Sequence, residues 1–124
     1  MAEANYTRTL AFTADDDIVA YSFVQPTSNS NNVDHVGTAG GQAIGVATHD
    51  ASDGDVVGVM AEAGSMIPIR ASAAIAAGAN ISSTNAGLAV TSASGNYILG
   101  VALEAADSAG DYITMVFQPV GRLA

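Results

Sequence analysis

Few side chains in this sequence are equipped for chemistry. His49 and Asp50 are neighbours, and an imidazole beside a carboxylate is the pair that a general base and its orienting group require. Adjacent residues of an extended segment point to opposite faces, so adjacency alone does not build a site. No partner nucleophile is marked by sequence, and there is no cysteine. Two acidic groups offer oxygen ligands to a cation: Asp15-Asp16-Asp17, and Asp50 with Asp53 and Asp55. Calcium loops place a Gly at the sharp bend between their ligands, and the first triplet has none. The second group is scattered along a polar turn, where carboxylates solvate the loop. The reading is no catalytic residue, no metal site, no cofactor and no enzyme.

These residues belong to the stretch that organises the chain, residues 42–60, QAIGVATHDASDGDVVGVM. Ile44-Gly45-Val46-Ala47 leads through an acidic Gly turn into Asp55-Val56-Val57-Gly58-Val59. The chain writes nearly the same thing again. Leu99-Gly100-Val101-Ala102 leads through residues 104–109 into Gly110-Asp111-Tyr112-Ile113-Thr114-Met115-Val116. Gly45 answers Gly100, and Gly54-Asp55 answers Gly110-Asp111, with one residue added in the second turn. Each copy reads as a short buried strand, a polar turn and a β-branched return strand. Gly54 and Gly110 fall where such a hairpin needs positive φ, which Gly supplies without steric cost. The second copy has no His and only Glu104, Asp107 and Asp111 in this region, so the His–Asp pair is not a feature of the unit. Two copies imply a pseudo-symmetric fold, with halves of about residues 14–71 and 72–124.

The bulk composition limits the function classes. At 124 residues the chain has the size of one domain with one core. Three Arg and no Lys face twelve acids, for a net charge of −9. That excludes the clustered cations a nucleic-acid backbone or an anionic membrane requires. Only 12% of residues are charged, against about 25% in ordinary soluble domains. Such a surface is poorly solvated, so much of it is expected to be covered by partners, including further copies of the chain. No apolar run approaches the roughly 20 residues of a spanning helix. The start, MAEANYTRTLAF, lacks the basic region and apolar core of a secretory leader. A protein made in a cytoplasm, or used in a particle assembled there, is expected.

In chain order, Tyr6, Arg8, Leu10 and Phe12 alternate with smaller residues, a strand pattern. Residues 1–13 read as an N-terminal arm and residues 14–124 as a single β-domain. Residues 18–24, IVAYSFV, read as a strand ended by Pro26. Residues 27–32, TSNSNN, read as a mobile polar loop. Residues 33–37 form a weak strand. Residues 65–70, SMIPIR, form an edge or bulged strand because Pro68 cannot donate to a ladder. Residues 71–77, ASAAIAA, allow one or two helical turns closed by Gly78. Further strands fall around residues 79–83, 87–90, 96–103 and 111–118. The total is nine or ten short strands in a compact all-β barrel or sandwich.

The order of these pieces resembles the phage capsid decoration, or head cement, proteins. The likeness runs over roughly residues 17–123. It rests on IGVATHDASDGDVVGVMAEAGSMIPI, on IAAGANISSTNAGLAVTSASGNYILGVALEA and on GDYITMVFQPVGRL. It implies a structural virion protein on the outer capsid surface. Such a protein is commonly a homotrimer that clamps neighbouring major capsid proteins of the expanded head. The stripe Tyr6, Arg8, Leu10 and Phe12 lies outside both copies and is the candidate capsid grip, by addition of a strand to an open sheet edge; the alternative is that the arm folds back as an edge strand of its own domain or of a trimer neighbour. Gly54, Asp55, Gly110 and Asp111 are structural turn residues. The alternative class is a carbohydrate- or ligand-binding β-module of a phage fibre or adhesin, which would want exposed aromatic rings on loops.

Overall fold

The computed structural model describes residues 9–122. Ten strands form, and no helix occurs among the described residues. The first half carries β1 (Thr9–Ala14), β2 (Phe23–Pro26), β3 (Asn32–His35), β4 (Gly45–Ala47) and β5 (Val56–Met60). The second carries β6 (Met66–Arg70), β7 (Asn80–Ser83), β8 (Ala89–Thr91), β9 (Tyr97–Ala102) and β10 (Tyr112–Arg122). The first five close into a barrel in the order β1-β3-β2-β4-β5, and the last five form a sheet in the order β6-β10-β9-β7-β8. The expected all-β fold of about ten short strands is what forms.

Side-chain alternation explains the main strands. In β5, Val57 and Val59 turn inward while Val56 faces solvent. In β10, Ile113, Met115 and Phe117 are buried and Tyr112 is exposed. That is the period of two expected of a strand with one core-facing side.

Three local expectations change. Residues 18–24 are not one strand: Ile18 makes an isolated bridge to Ala51, the chain turns at Ala20-Tyr21, and β2 starts at Phe23. Tyr21 takes φ 60, which breaks the extended run that its β-branched neighbours favour. Residues 71–77 contain no helical turn, because Ile75 pairs antiparallel with Ala106, exchanging two backbone hydrogen bonds of 2.9 Å. A tertiary bridge overrides the high intrinsic helix propensity of alanine. The TSNSNN loop is tied down: Asn29 and Asn32 donate side-chain hydrogen bonds to Asp15, and Asn32 N donates to Asn29 O.

The duplication extends further than the sequence indicates. Several backbone hydrogen bonds of one half have counterparts in the other around the long turns. Ile18 and Ala51 exchange bonds as Ile75 and Ala106 do, and Tyr21 N donates to Ala47 O as Gly78 N does to Ala102 O. Parallel contact of β1 with β3 at Ala14 and Val33 is matched by a single parallel bridge between Ala71 and Ala89. The second sheet is therefore the same barrel, closed by one bridge instead of a ladder. In this correspondence β1 answers β6. β1 pairs with β5 from Thr9↔Met60 to Thr13↔Val56, as β6 pairs with β10 from Met66↔Val116 to Arg70↔Tyr112. Each copy thus begins with its first strand, near residues 9 and 66, and residues 9–13 of the expected arm are the opening strand of copy one.

Two apolar clusters hold the halves. A smaller one inside the first barrel contains Ala14, Ile18, Val24, Val33, Val57 and Val59. The larger one joins Phe23, Val36 and Val46 of the first half to Ile67, Ile81, Leu99, Met115 and Phe117 of the second. Fully burying a side chain such as Phe23 contributes about 2 kcal/mol. The first barrel thereby depends on the second. Backbone bonds cross the seam as well: Phe23 N to Gly87 O at 2.7 Å, Gly40 N to Ser83 O at 2.7 Å, and Arg70 N to Tyr21 O at 2.9 Å.

Candidate functional site

The acidic turn of copy one opens on a shallow cleft of about 430 Å³ lined by Asp17, Ile18, His35, Asp50 and Asp55, among others. Its carboxylates are engaged in holding backbone. Asp50 Oδ1 accepts from Ala20 N at 2.7 Å, Asp17 Oδ1 from Asp53 N at 3.1 Å, and Asp55 Oδ2 from Ser52 N at 3.1 Å. His49 Nε2 accepts from Gly58 N at 3.2 Å, so the ring proton sits on Nδ1, 2.9 Å from the Asp50 carbonyl. The imidazole and the Asp50 carboxylate do not meet. No three His, Cys, Asp or Glu side chains gather at metal-binding distance among the described residues. Every contact of the acidic turn is one of loop architecture.

The Gly-Asp doublets fasten each turn to the start of its own copy. Gly54 and Gly110 both have φ 92. Gly54 N donates to Ala14 O and Ala14 N to Asp55 O. Gly110 N donates to Ala71 O and Ala71 N to Asp111 O, all four at 2.8 Å. The Asp111 carboxylate accepts from Asp107 N and Ser108 N, as that of Asp55 does from Ser52 N.

Of the four residues read as a capsid grip, Tyr6 and Arg8 lie outside the described residues. Leu10 and Phe12 stand opposite Val59 and Val57 of β5. Directly opposed residues of an antiparallel pair share a face, so both lie on the side that lines the barrel. Phe12 packs against the smaller core, while Leu10 remains 41% exposed.

One cluster gave no sequence signal. Tyr21, Arg70 and Tyr112 meet on the surface where the two copies join. The rings of Tyr21 and Tyr112 lie edge to face at 5.5 Å, and the Arg70 guanidinium sits 5.9 Å from the Tyr112 ring centre. Tyr112 is 56% exposed. The residues are far apart in sequence, so only the closed sheets bring them together. The nearest hint was a Tyr inside the IVAYSFV run, at a place where the second copy uses Gly78.

A closed barrel and a five-stranded sheet of matching strand order share a core and make one duplicated β-module. The comparisons are specific about its class. A family model described as phage cement protein matches residues 3–117, and the chain belongs to that family. It is a structural component of the phage head, as the resemblance in sequence implied. The fold matches "The crystal structure of head fiber gp8.5 N base in bacteriophage phi29", with a TM-score of 0.76 and 21% identity over 95% of this chain and 98% of that one. No curated protein matches the sequence.

Proposed function

We propose that the chain is a non-enzymatic cement that binds the outer surface of the expanded head and holds neighbouring major capsid proteins together. The observation that carries the proposal is the family match across nearly the whole chain. The surface is consistent with it. Large apolar side chains stand exposed at Leu10, Val56, Met66, Tyr112 and Val120 in a chain with only 12% charged residues. Covering such side chains is the gain that drives association. A ligand that binds only the expanded shell stabilises it by mass action. A homotrimer spanning three shell subunits would gain further, since the first contact makes the others nearly intramolecular. The net charge of −9 suits the outside of the shell and disfavours contact with the packaged nucleic acid or an anionic membrane.

Heads assembled without the protein provide the test. Added protein should co-sediment with expanded heads and raise the temperature at which they release their DNA. Heads that neither bind it nor gain stability would refute the proposal. A rival reading, a ligand- or carbohydrate-binding module of a fibre, draws on the phi29 neighbour, a head fiber base. It predicts glycan binding that is lost with Tyr112→Ala and no effect on head stability.

A further inference from the structure

The surface cluster of Tyr21, Arg70 and Tyr112 is built at a cost the fold does not require. Tyr21 is held at φ 60, the left-handed region that side chains with a Cβ avoid. The second copy needs the same backbone at the corresponding residue and fills it with Gly78, at φ 86. Copy one thus keeps an aromatic side chain where glycine is the natural choice. Strain of this kind gathers at sites of function. The neighbouring positions differ between the copies too: Arg70 and Tyr112, paired across β6 and β10, answer Thr13 and Val56, paired across β1 and β5.

Arg70 points to the chemistry of the occupant. Among the described residues it forms no ion pair, although the chain holds twelve acids. Its Nε is buried and has no hydrogen-bond partner. An atom so enclosed is closed to an incoming group, so a partner would meet the terminal amino groups of the guanidinium instead. A guanidinium presents a planar fork of donors that a carboxylate matches with two parallel bonds. The two tyrosines form apolar walls that lower the local dielectric and strengthen such a pair.

Resting on the head-binding reading above, we propose that this cluster is the docking site for an acidic segment of the shell protein. A carboxylate of that segment pairs with Arg70, and its flanking side chains lie against Tyr21 and Tyr112.

The test uses the full-length protein and expanded heads lacking it. Arg70→Gln removes the charge, and Tyr112→Ala removes an exposed ring. Both should keep the wild-type melting temperature and oligomeric size. Each should bind heads about tenfold more weakly, or worse, as expected when one partner of a desolvated charge pair is lost. Wild-type binding should weaken as salt is raised, and Arg70→Gln should flatten that dependence. Variants that bind as tightly as wild type would overturn the proposal. So would variants that change the oligomeric size, which would make the cluster a contact between copies of this chain. Failure of the wild-type protein itself to bind heads would instead refute the cement function, and the docking site with it.

Discussion

Alanine at Gly45 or at Gly100 should be far more damaging than its small size suggests. A Cβ added at Gly45 would lie 2.3 Å from Met60 O, and one at Gly100 would lie 2.3 Å from Val116 O. Ordinary contact begins roughly 1 Å further out. The atom in the way is a main-chain carbonyl of the paired strand, which cannot swing aside as a side chain can. Forcing a methyl group into such a place costs about 3 kcal/mol, the upper end for overpacking. Replacing Gly also stiffens the unfolded chain and returns about 0.7 kcal/mol. The net loss is about 2 kcal/mol, or a Tm drop of roughly 8 °C in a domain of this size. Gly37→Ala is the control, since nothing lies within 4 Å of its added Cβ and its φ is not positive. Gly54→Val and Gly110→Val test the other glycine requirement: each has open space around it but φ 92. Each should cost about 1 kcal/mol or more through backbone strain alone. Urea unfolding followed by circular dichroism would rank all five variants. If Gly45→Ala and Gly100→Ala unfold no more easily than Gly37→Ala, the close approach of the strands is not what reserves these sites for Gly. If only one half responds, the two copies are not energetically equivalent.

Phe12→Ala should lower stability by about 2 kcal/mol, less than a fully buried ring because Phe12 is only partly buried, while Leu10→Ser should leave melting unchanged and weaken head binding; the opposite pattern would remove Leu10 as a shell contact. Asp15 accepts hydrogen bonds from Thr27, Asn32 and Asn29, which hold its carboxyl below the ordinary aspartate value. Its ionised form therefore favours the fold above the unfolded value, and that contribution fades as pH falls through the lower folded value. Asp15→Asn should melt below wild type near neutral pH, and the two curves should converge on acidification; parallel curves would show that the loop is not tied down through this carboxylate. Light scattering after gel filtration should give a trimer, and a 12.3 kDa species at high concentration would confine any trimer to the shell.

How much of this was legible in the sequence depended on the range of the interaction. Hairpin periodicity is local, so the strands around Gly45, Gly54, Gly100 and Gly110 could be read directly. The likeness of β1 to β6 could not. Thr9-Leu10-Ala11-Phe12 and Met66-Ile67-Pro68-Ile69 share no residue, and their equivalence lies in which strand each pairs with. The same limit explains residues 1–13. A stripe of large side chains looks identical whether it faces a partner or lines its own barrel, and closure of β1 against both β5 and β3 decides the matter for Phe12. The acidic turn was readable as architecture because the second copy lacks its His. The Tyr21 cluster was not readable, since its members come together only when the two copies pack.

The internal duplication separates what the fold needs from what it does not. Positions alike in both copies, such as Gly45 and Gly100, answer to backbone geometry. Tyr21 and Gly78 share a backbone conformation but not a side chain, so the side chain there is free to differ for another reason. Reciprocal substitutions put a magnitude on that reasoning. Tyr21→Gly should relieve roughly 1 kcal/mol of left-handed strain and lose a comparable amount of packing, because Tyr21 lies partly buried against the larger core. Its melting temperature should therefore stay near wild type while binding to heads falls. Gly78→Tyr adds the strain with open space around the new Cβ and no packing in return, so it should destabilise by about 1 kcal/mol. If Tyr21→Gly melts far below wild type, the tyrosine is kept for the core, and the strain it bears is explained by stability and not by docking.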